Sequence, residues 1–127
     1  MNVLLDTHLL LWWLNDSDDL SGRAREIISS PGNTIFISAV TLWEIRLKQS
    51  LGKLTLPSGF EAAWADGSFE PLPLTAAHTC GIGGLPWHHR DPFDRLLISQ
   101  AAVEGLTIVT GDKRFASYDV PIIDAER

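Results

Sequence analysis

Four acidic residues stand where a core position or a plain turn would be expected: Asp6, Glu44, Asp94 and Asp112. Asp6 follows the apolar run Val3-Leu4-Leu5 at once, and Asp112 comes just after Leu106-Thr107-Ile108-Val109. Each has an ordinary reading. Asp6 can cap a helix, an interaction worth about 1 kcal/mol, and Asp112 can be a turn residue. Glu44 is more telling. Val40, Leu47 and Leu51 recur at helical spacing around it, so it interrupts a stripe that should face the core. Asp94 repeats this, with Leu97, Ile98 and Ala101 on its side of a second helix. A carboxylate buried without a partner costs several kcal/mol. An ion pair, for example with an arginine, would satisfy Glu44 alone. Convergence of all four on hard divalent cations would satisfy the whole set, and ligation by oxygen alone suits Mg²⁺ or Mn²⁺.

Other polar residues fit this chemistry less directly. Asp91 precedes Pro92, a favoured first helical residue, so it is the natural N-cap of the helix carrying Asp94, with a supporting role left open. Zinc is a poor fit, because His88-His89 lacks zinc spacing and a cysteine partner. His8, His78, His88 and His89 read as ordinary side chains, although His88 or His89 could meet a substrate. The basic residues cluster as Arg46, Lys48 and Lys53; Arg90 and Arg95; and Lys113 and Arg114. Each cluster reads equally as a solvated face. Arg90, Arg95, Lys113 and Arg114 are the candidates for phosphate contact.

The elements that must carry these residues follow from periodicity and punctuation. Strands are expected over Asn2–Leu5, Thr34–Ile37, Phe69–Leu72, Leu106–Val109 and Val120–Ile123. Pro71 and Pro121 confine the third and fifth to sheet edges. Helices are expected from His8 to Leu14, behind caps Asp6 and Thr7. Further helices run from about Gly22 to Ser30 behind Ser21, and from Ala39 to about Ser50 behind Ser38. Others run from Pro57-Ser58 to about Asp66, from Thr75 to about Ile82, and from Asp91 to about Glu104 with Gly105 as its stop. A short helix covers Lys113 to Ser117. Strands alternating with helices predict a parallel sheet covered on both faces, an α/β three-layer sandwich in one domain over 1–127.

Composition narrows the function classes. Sixteen Asp and Glu against ten Lys and Arg leave a net charge of −6, which argues against gripping nucleic acid by bulk charge. It leaves room for a local acidic site that cations neutralise. Cys80 is the single cysteine, so an internal disulfide is excluded; a free buried thiol in a reducing cytoplasm is expected. The apolar N-terminus, interrupted by Asp6 and His8, does not read as a signal peptide. No stretch approaches the ~20 apolar residues of a membrane span. Trp12 and Trp13 suit a core or an interface.

Taken together, Leu5-Asp6-Thr7, Ile37-Ser38-Ala39-Val40-Thr41-Leu42-Trp43-Glu44-Ile45, His89-Arg90-Asp91-Pro92-Phe93-Asp94-Arg95-Leu96-Leu97-Ile98 and Val109-Thr110-Gly111-Asp112-Lys113-Arg114-Phe115 resemble the PIN-domain ribonucleases, and among them the VapC-type toxins of bacterial toxin–antitoxin pairs. The resemblance runs essentially end to end. It implies about five parallel strands with the acids at the carboxyl edge, and Mg²⁺- or Mn²⁺-dependent cleavage of RNA. Asp6, Glu44, Asp94 and Asp112 match the four family acids, and Thr110 matches a hydroxyl residue that supports the site. It further implies a homodimer and a protein antitoxin that blocks the cleft.

Two other classes compete. A phosphatase of the haloacid-dehalogenase kind also places an aspartate after its first strand, but its second aspartate would stand where this chain has His8. A non-catalytic acidic cleft that binds a basic protein segment suits the net charge, yet leaves the inward-facing Glu44 and Asp94 unexplained.

Overall fold

The computed structural model describes residues 1–65 and 68–125. Five parallel strands, β1 (Asn2–Leu5), β2 (Thr34–Ser38), β3 (Glu70–Leu72), β4 (Thr107–Thr110) and β5 (Ile122–Asp124), lie in the order β3-β2-β1-β4-β5. The chain winds outward from β1 to β3, then returns to place β4 on the other side of β1. The order therefore reverses between β1 and β4, where parallel sheets open a crevice for ligands at their carboxyl ends. The proline-bearing β3 and the strand after Pro121 are the two edges, as expected where a strand lacks one N–H donor.

Alternation along the strands builds two cores. Val3 and Leu5 of β1, Ile35 and Ile37 of β2 and Val109 of β4 pack on one face. They meet Leu9 and Leu10 of α1 (Thr7–Leu14) and Ala24, Ile27 and Ile28 of α2 (Gly22–Ser29). Leu4 and Ile108 point the other way, onto Leu97, Ile98 and Ala101 of α6 (Pro92–Glu104). A period of two with both faces apolar is what a sheet buried on both sides requires. Trp12 and Trp13 are half-buried against the first core.

The caps are those the residue types predict. Ser21 Oγ accepts the Ala24 N–H, and Ser38 Oγ accepts the Val40 N–H at the head of α3 (Ala39–Ser50). Gly105 ends α6 in the left-handed region at φ 69°, which lets the Leu106 N–H reach back to Ala101 O at 3.0 Å.

Three expectations need correction. The helix placed from Pro57 begins later, as α4 (Phe60–Ala65), because Gly59 takes φ +81° and the chain turns there first. Its expected end at Asp66 lies outside the described residues. Cys80 is exposed rather than buried. The short α5 (Ala76–Gly81) packs on α6 through His78, and two residues at about 100° each carry Cys80 to the far side. On α3 the buried residues are Val40, Thr41, Glu44 and Ile45, so the buried stripe leans toward Thr41 and Ile45. Leu47 and Leu51, expected inward, are exposed with Trp43.

No helix among the described residues is long and apolar enough to cross a membrane. Replacing Gly105 tests the helix stop. Gly105→Ala is expected to lower stability by about 1 kcal/mol, since a Cβ is strained at that φ. Urea unfolding followed by circular dichroism measures this, and an unchanged midpoint would contradict it.

Candidate functional site

The chain reaches the carboxyl edge of the sheet at the end of every strand, and the exits of β1 and β4 carry Asp6 and Asp112. Asp6 leaves β1 as the cap of α1, its Oδ1 accepting the Leu9 N–H at 2.9 Å. Its Oδ2 accepts a short hydrogen bond from the Thr110 hydroxyl at the end of β4. The Thr110 oxygen in turn accepts the Asp112 N–H at 3.0 Å. One hydroxyl thus ties the ends of the two strands that flank the reversal point. Asp6 is 3% exposed, and burial pushes its carboxyl above the usual range despite these donors.

Glu44 comes from the middle of α3 and is 4% exposed. The Thr7 hydroxyl donates to its Oε1 and the Lys48 ammonium to its Oε2, each at 2.6 Å. An ion pair was one sequence reading of Glu44, with an arginine as the example; the partner is a lysine one turn further on. The hydrogen bond to Glu44, with the nearby charges of Asp91 and Asp94, holds the Lys48 ammonium above its usual value.

Asp94 lies in the first turn of α6, where free N–H groups favour negative charge. Asp91 caps that helix, accepting the Asp94 N–H at 3.0 Å. Even so, the Asp94 carboxyl is pushed up to about 8. Burial is the largest cause, and the charges of Asp91, Asp6, Glu44 and Asp112 all act in the same direction. Asp112 goes the other way. Burial raises it, but hydrogen bonds from the Arg114 side chain and backbone, with the charges of Arg114 and His89, leave it below the ordinary value. Its Oδ1 accepts the Arg114 Nε–H at 3.1 Å and its Oδ2 an Nη2–H at 2.8 Å.

The structure brings a fifth residue to these acids. His89 Nε2 lies 2.8 Å from Asp94 Oδ2 and 3.1 Å from Asp112 Oδ2. Those three residues could share one ion. Nothing in the sequence singled His89 out except its closeness to Asp91 and Asp94, because a loop histidine has no periodicity to violate.

Asp6, Asp112, His8, Trp12 and Gly111 line an open pocket of about 210 Å³. A larger cavity, about 450 Å³, opens near the start of β2 between Trp13, Ile28, Asn33 and Phe69. None of its described lining residues is ionisable, whereas the smaller pocket holds two of the four acids. The acid cluster fits a hard divalent cation. It offers oxygen donors, and burial together with the neighbouring acidic charges raises Asp94, a shift that a bound cation would oppose.

Among the expected phosphate contacts, Arg90, Lys113 and Arg114 are exposed. Arg95 is not, and its expected role needs correction. It is 4% exposed, and its guanidinium donates to the carbonyls of Leu85, Pro86 and His89 and to the Tyr118 hydroxyl, with Trp87 stacked at 3.9 Å. It braces the loop before α6 instead of facing solvent.

The raised Asp94 fixes a sign. Its ordinary value lies near 3.9 in an unfolded chain, so between about pH 4 and pH 8 the folded protein holds an extra proton. Stability then falls as pH rises through that window, by a few kcal/mol in order of magnitude. Metal-free protein is expected to melt at progressively lower temperature from pH 5 to pH 8, and Asp94→Asn to flatten that slope. Thermal melts of both across the window measure it, and equal slopes would reject a raised Asp94.

Comparison with known proteins concerns the chain as a whole. Residues 3–121 match the family model of the PIN domain. Ribonuclease VapC22 of Mycobacterium tuberculosis is 27% identical over 125 residues, spanning 94% of this chain and 93% of that protein. In structure, the chain resembles VapBC2 from Rickettsia felis, solved on a DNA fragment from its promoter, with a TM-score of 0.72 and 21% identity over 99% of this chain and 100% of that one. VapBC from Salmonella typhimurium, also solved on DNA, gives a TM-score of 0.65 at 21% identity, covering 98% of each chain. Given a family match over nearly its whole length and the same five-stranded parallel architecture, the chain belongs to the PIN domain family.

Proposed function

We propose that the protein is the ribonuclease toxin of a toxin–antitoxin pair, cleaving RNA phosphodiester bonds with Mg²⁺ or Mn²⁺ held by its carboxylates. The observation that carries this reading is the crowding of Asp6, Glu44, Asp94 and Asp112 at one edge of the sheet, close enough for three of them to raise the fourth. The ribonuclease VapC22, similar over nearly its whole length, supports the substrate class.

Asp6 and Asp94 are the first choice for direct ligands. Glu44 and Asp112, each hydrogen-bonded at both oxygens, complete the negative wall or hold the attacking water. A bound cation supplies charge to offset the phosphodiester and makes a neighbouring water more acidic. Thr110 keeps Asp6 aimed by donating to its Oδ2. Arg114 spends Nε–H and one Nη2–H on Asp112, which leaves the rest of its fork for an RNA phosphate. Arg90 and Lys113 are the other exposed cations proposed for that contact.

A protein antitoxin covering the cleft, a homodimer and a cytoplasmic setting belong to the same reading. A structure similar in fold, from Klebsiella pneumoniae, is a toxin–antitoxin complex, and exposed Trp43 and Leu47 on α3 flank Glu44 with apolar surface suited to a protein partner.

Asp6→Asn and Asp94→Asn are each expected to slow Mg²⁺-dependent RNA cleavage about 100-fold or more, with the circular dichroism spectrum retained. Cleavage at the parent rate in both would reject the mechanism. Mn²⁺ at pH 8 is expected to raise the melting temperature of the parent and to do so far less for Asp94→Asn, because only a bound ion stabilises the folded state. Equal shifts in scanning calorimetry would place the ion elsewhere.

A further inference from the structure

His89 has every polar atom assigned. Its N–H donates to the Tyr118 hydroxyl at 2.9 Å, and its carbonyl accepts from Arg95 Nη1 at 3.2 Å. Its ring is buried and stands edge-on to Phe115, with the planes at 90° and the centroids 5.5 Å apart. Ring Nδ1 lies 3.2 Å from the Asp91 backbone N–H. A backbone N–H can only donate, so Nδ1 must offer its lone pair and the ring proton sits on Nε2. That nitrogen faces Asp94 Oδ2 at 2.8 Å and Asp112 Oδ2 at 3.1 Å.

We infer that His89 is a positioning residue, whose Nε2–H holds one oxygen of Asp94 and one of Asp112 together and so sets how both carboxylates face a cation. The inference rests on the metal-nuclease reading. It assigns the ring as a donor to two acids and not as a ligand itself. Asp112 has Arg114 as a second partner, but His89 is the one side chain among the described residues that donates to Asp94. Without that N–H, no side chain among the described residues holds Asp94 Oδ2 beside Asp112 Oδ2. The same backbone N–H that fixes the tautomer belongs to the cap of α6, so the ring orientation and the helix start are set together. Groups that orient a carboxylate in this way commonly change metal affinity 10–100-fold when removed.

Mn²⁺ is the probe, with the unbound ion counted by electron paramagnetic resonance. His89→Phe fills the buried space and removes the donor, whereas His89→Gln keeps an N–H near the place of Nε2. Mn²⁺ binding is expected to weaken about 10-fold or more in His89→Phe and to return close to the parent value in His89→Gln. In RNA cleavage the Mn²⁺ concentration for half-maximal rate should rise in His89→Phe, with a smaller change at saturation. The parent's imidazole ¹⁵N spectrum should show the proton on Nε2 both before and after addition of Mg²⁺. A folded His89→Phe that binds Mn²⁺ like the parent overturns the inference, as does loss of the Nε2 proton on adding Mg²⁺, which would make the ring a ligand. If His89→Phe does not fold, the spectrum and His89→Gln decide. A parent that binds no Mn²⁺ removes the nuclease reading itself; a parent that binds it alongside an unaffected variant removes only the role of His89.

Discussion

Like charges packed into one edge of a sheet repel, and most of this molecule's polar architecture answers that repulsion. Asp6 and Asp112 arrive behind adjacent strands, while Glu44 and Asp94 arrive from α3 and α6, helices that meet through Trp43 and Phe93. Burial first, and the nearness of the other acids second, raises Asp94 far above an ordinary carboxyl. Such an arrangement persists because the sheet core, remote from the acids, supplies the stability. Val3, Leu4 and Leu5 are fully buried immediately before Asp6, and Ile108 and Val109 immediately before Thr110. The apolar strands place the acids, and the acids contribute strain that only positive charge relieves.

The relief present in the protein itself is uneven. Glu44 has a lysine and Asp112 an arginine, and both partners lie at least partly in solvent. Asp6 and Asp94 have no lysine or arginine partner among the described residues: a threonine hydroxyl and a helix N–H hold Asp6, and the His89 ring faces Asp94. These two carboxyls are the ones left to face a cation. Arg95 takes a different part. Its buried guanidinium gathers three loop carbonyls and the Tyr118 hydroxyl, which fixes the backbone that carries His89. Fixing that loop determines where the ring sits, and through it how Asp94 is held.

Local rules of the chain explain much of this outcome. Apolar runs of four or five residues bounded by caps and glycines marked five strands, and Pro71 and Pro121 marked the two edges, because a missing N–H excludes a central ladder position. Ser21, Ser38, Asp91 and Gly105 cap or stop helices as their side chains or φ preferences dictate. Periodicity was less reliable where helices are short or mixed. On α3 several rotations of the helix bury a comparable set of residues, and the one adopted leaves Leu47 and Leu51 outside. On the six-residue α5 His78 is the one buried residue, and Cys80 faces solvent.

By itself the sequence determined the alternating α/β plan and which acids stand against the apolar pattern, since both depend on spacings of two to four residues along one chain. Tertiary structure alone decided the rest: that β4 returns beside β1, that Arg95 turns inward, and that His89 bridges Asp94 and Asp112. Those outcomes depend on contacts between segments distant in the chain, or on which of several local rotamers the packed neighbours permit. No spacing rule within one element encodes either.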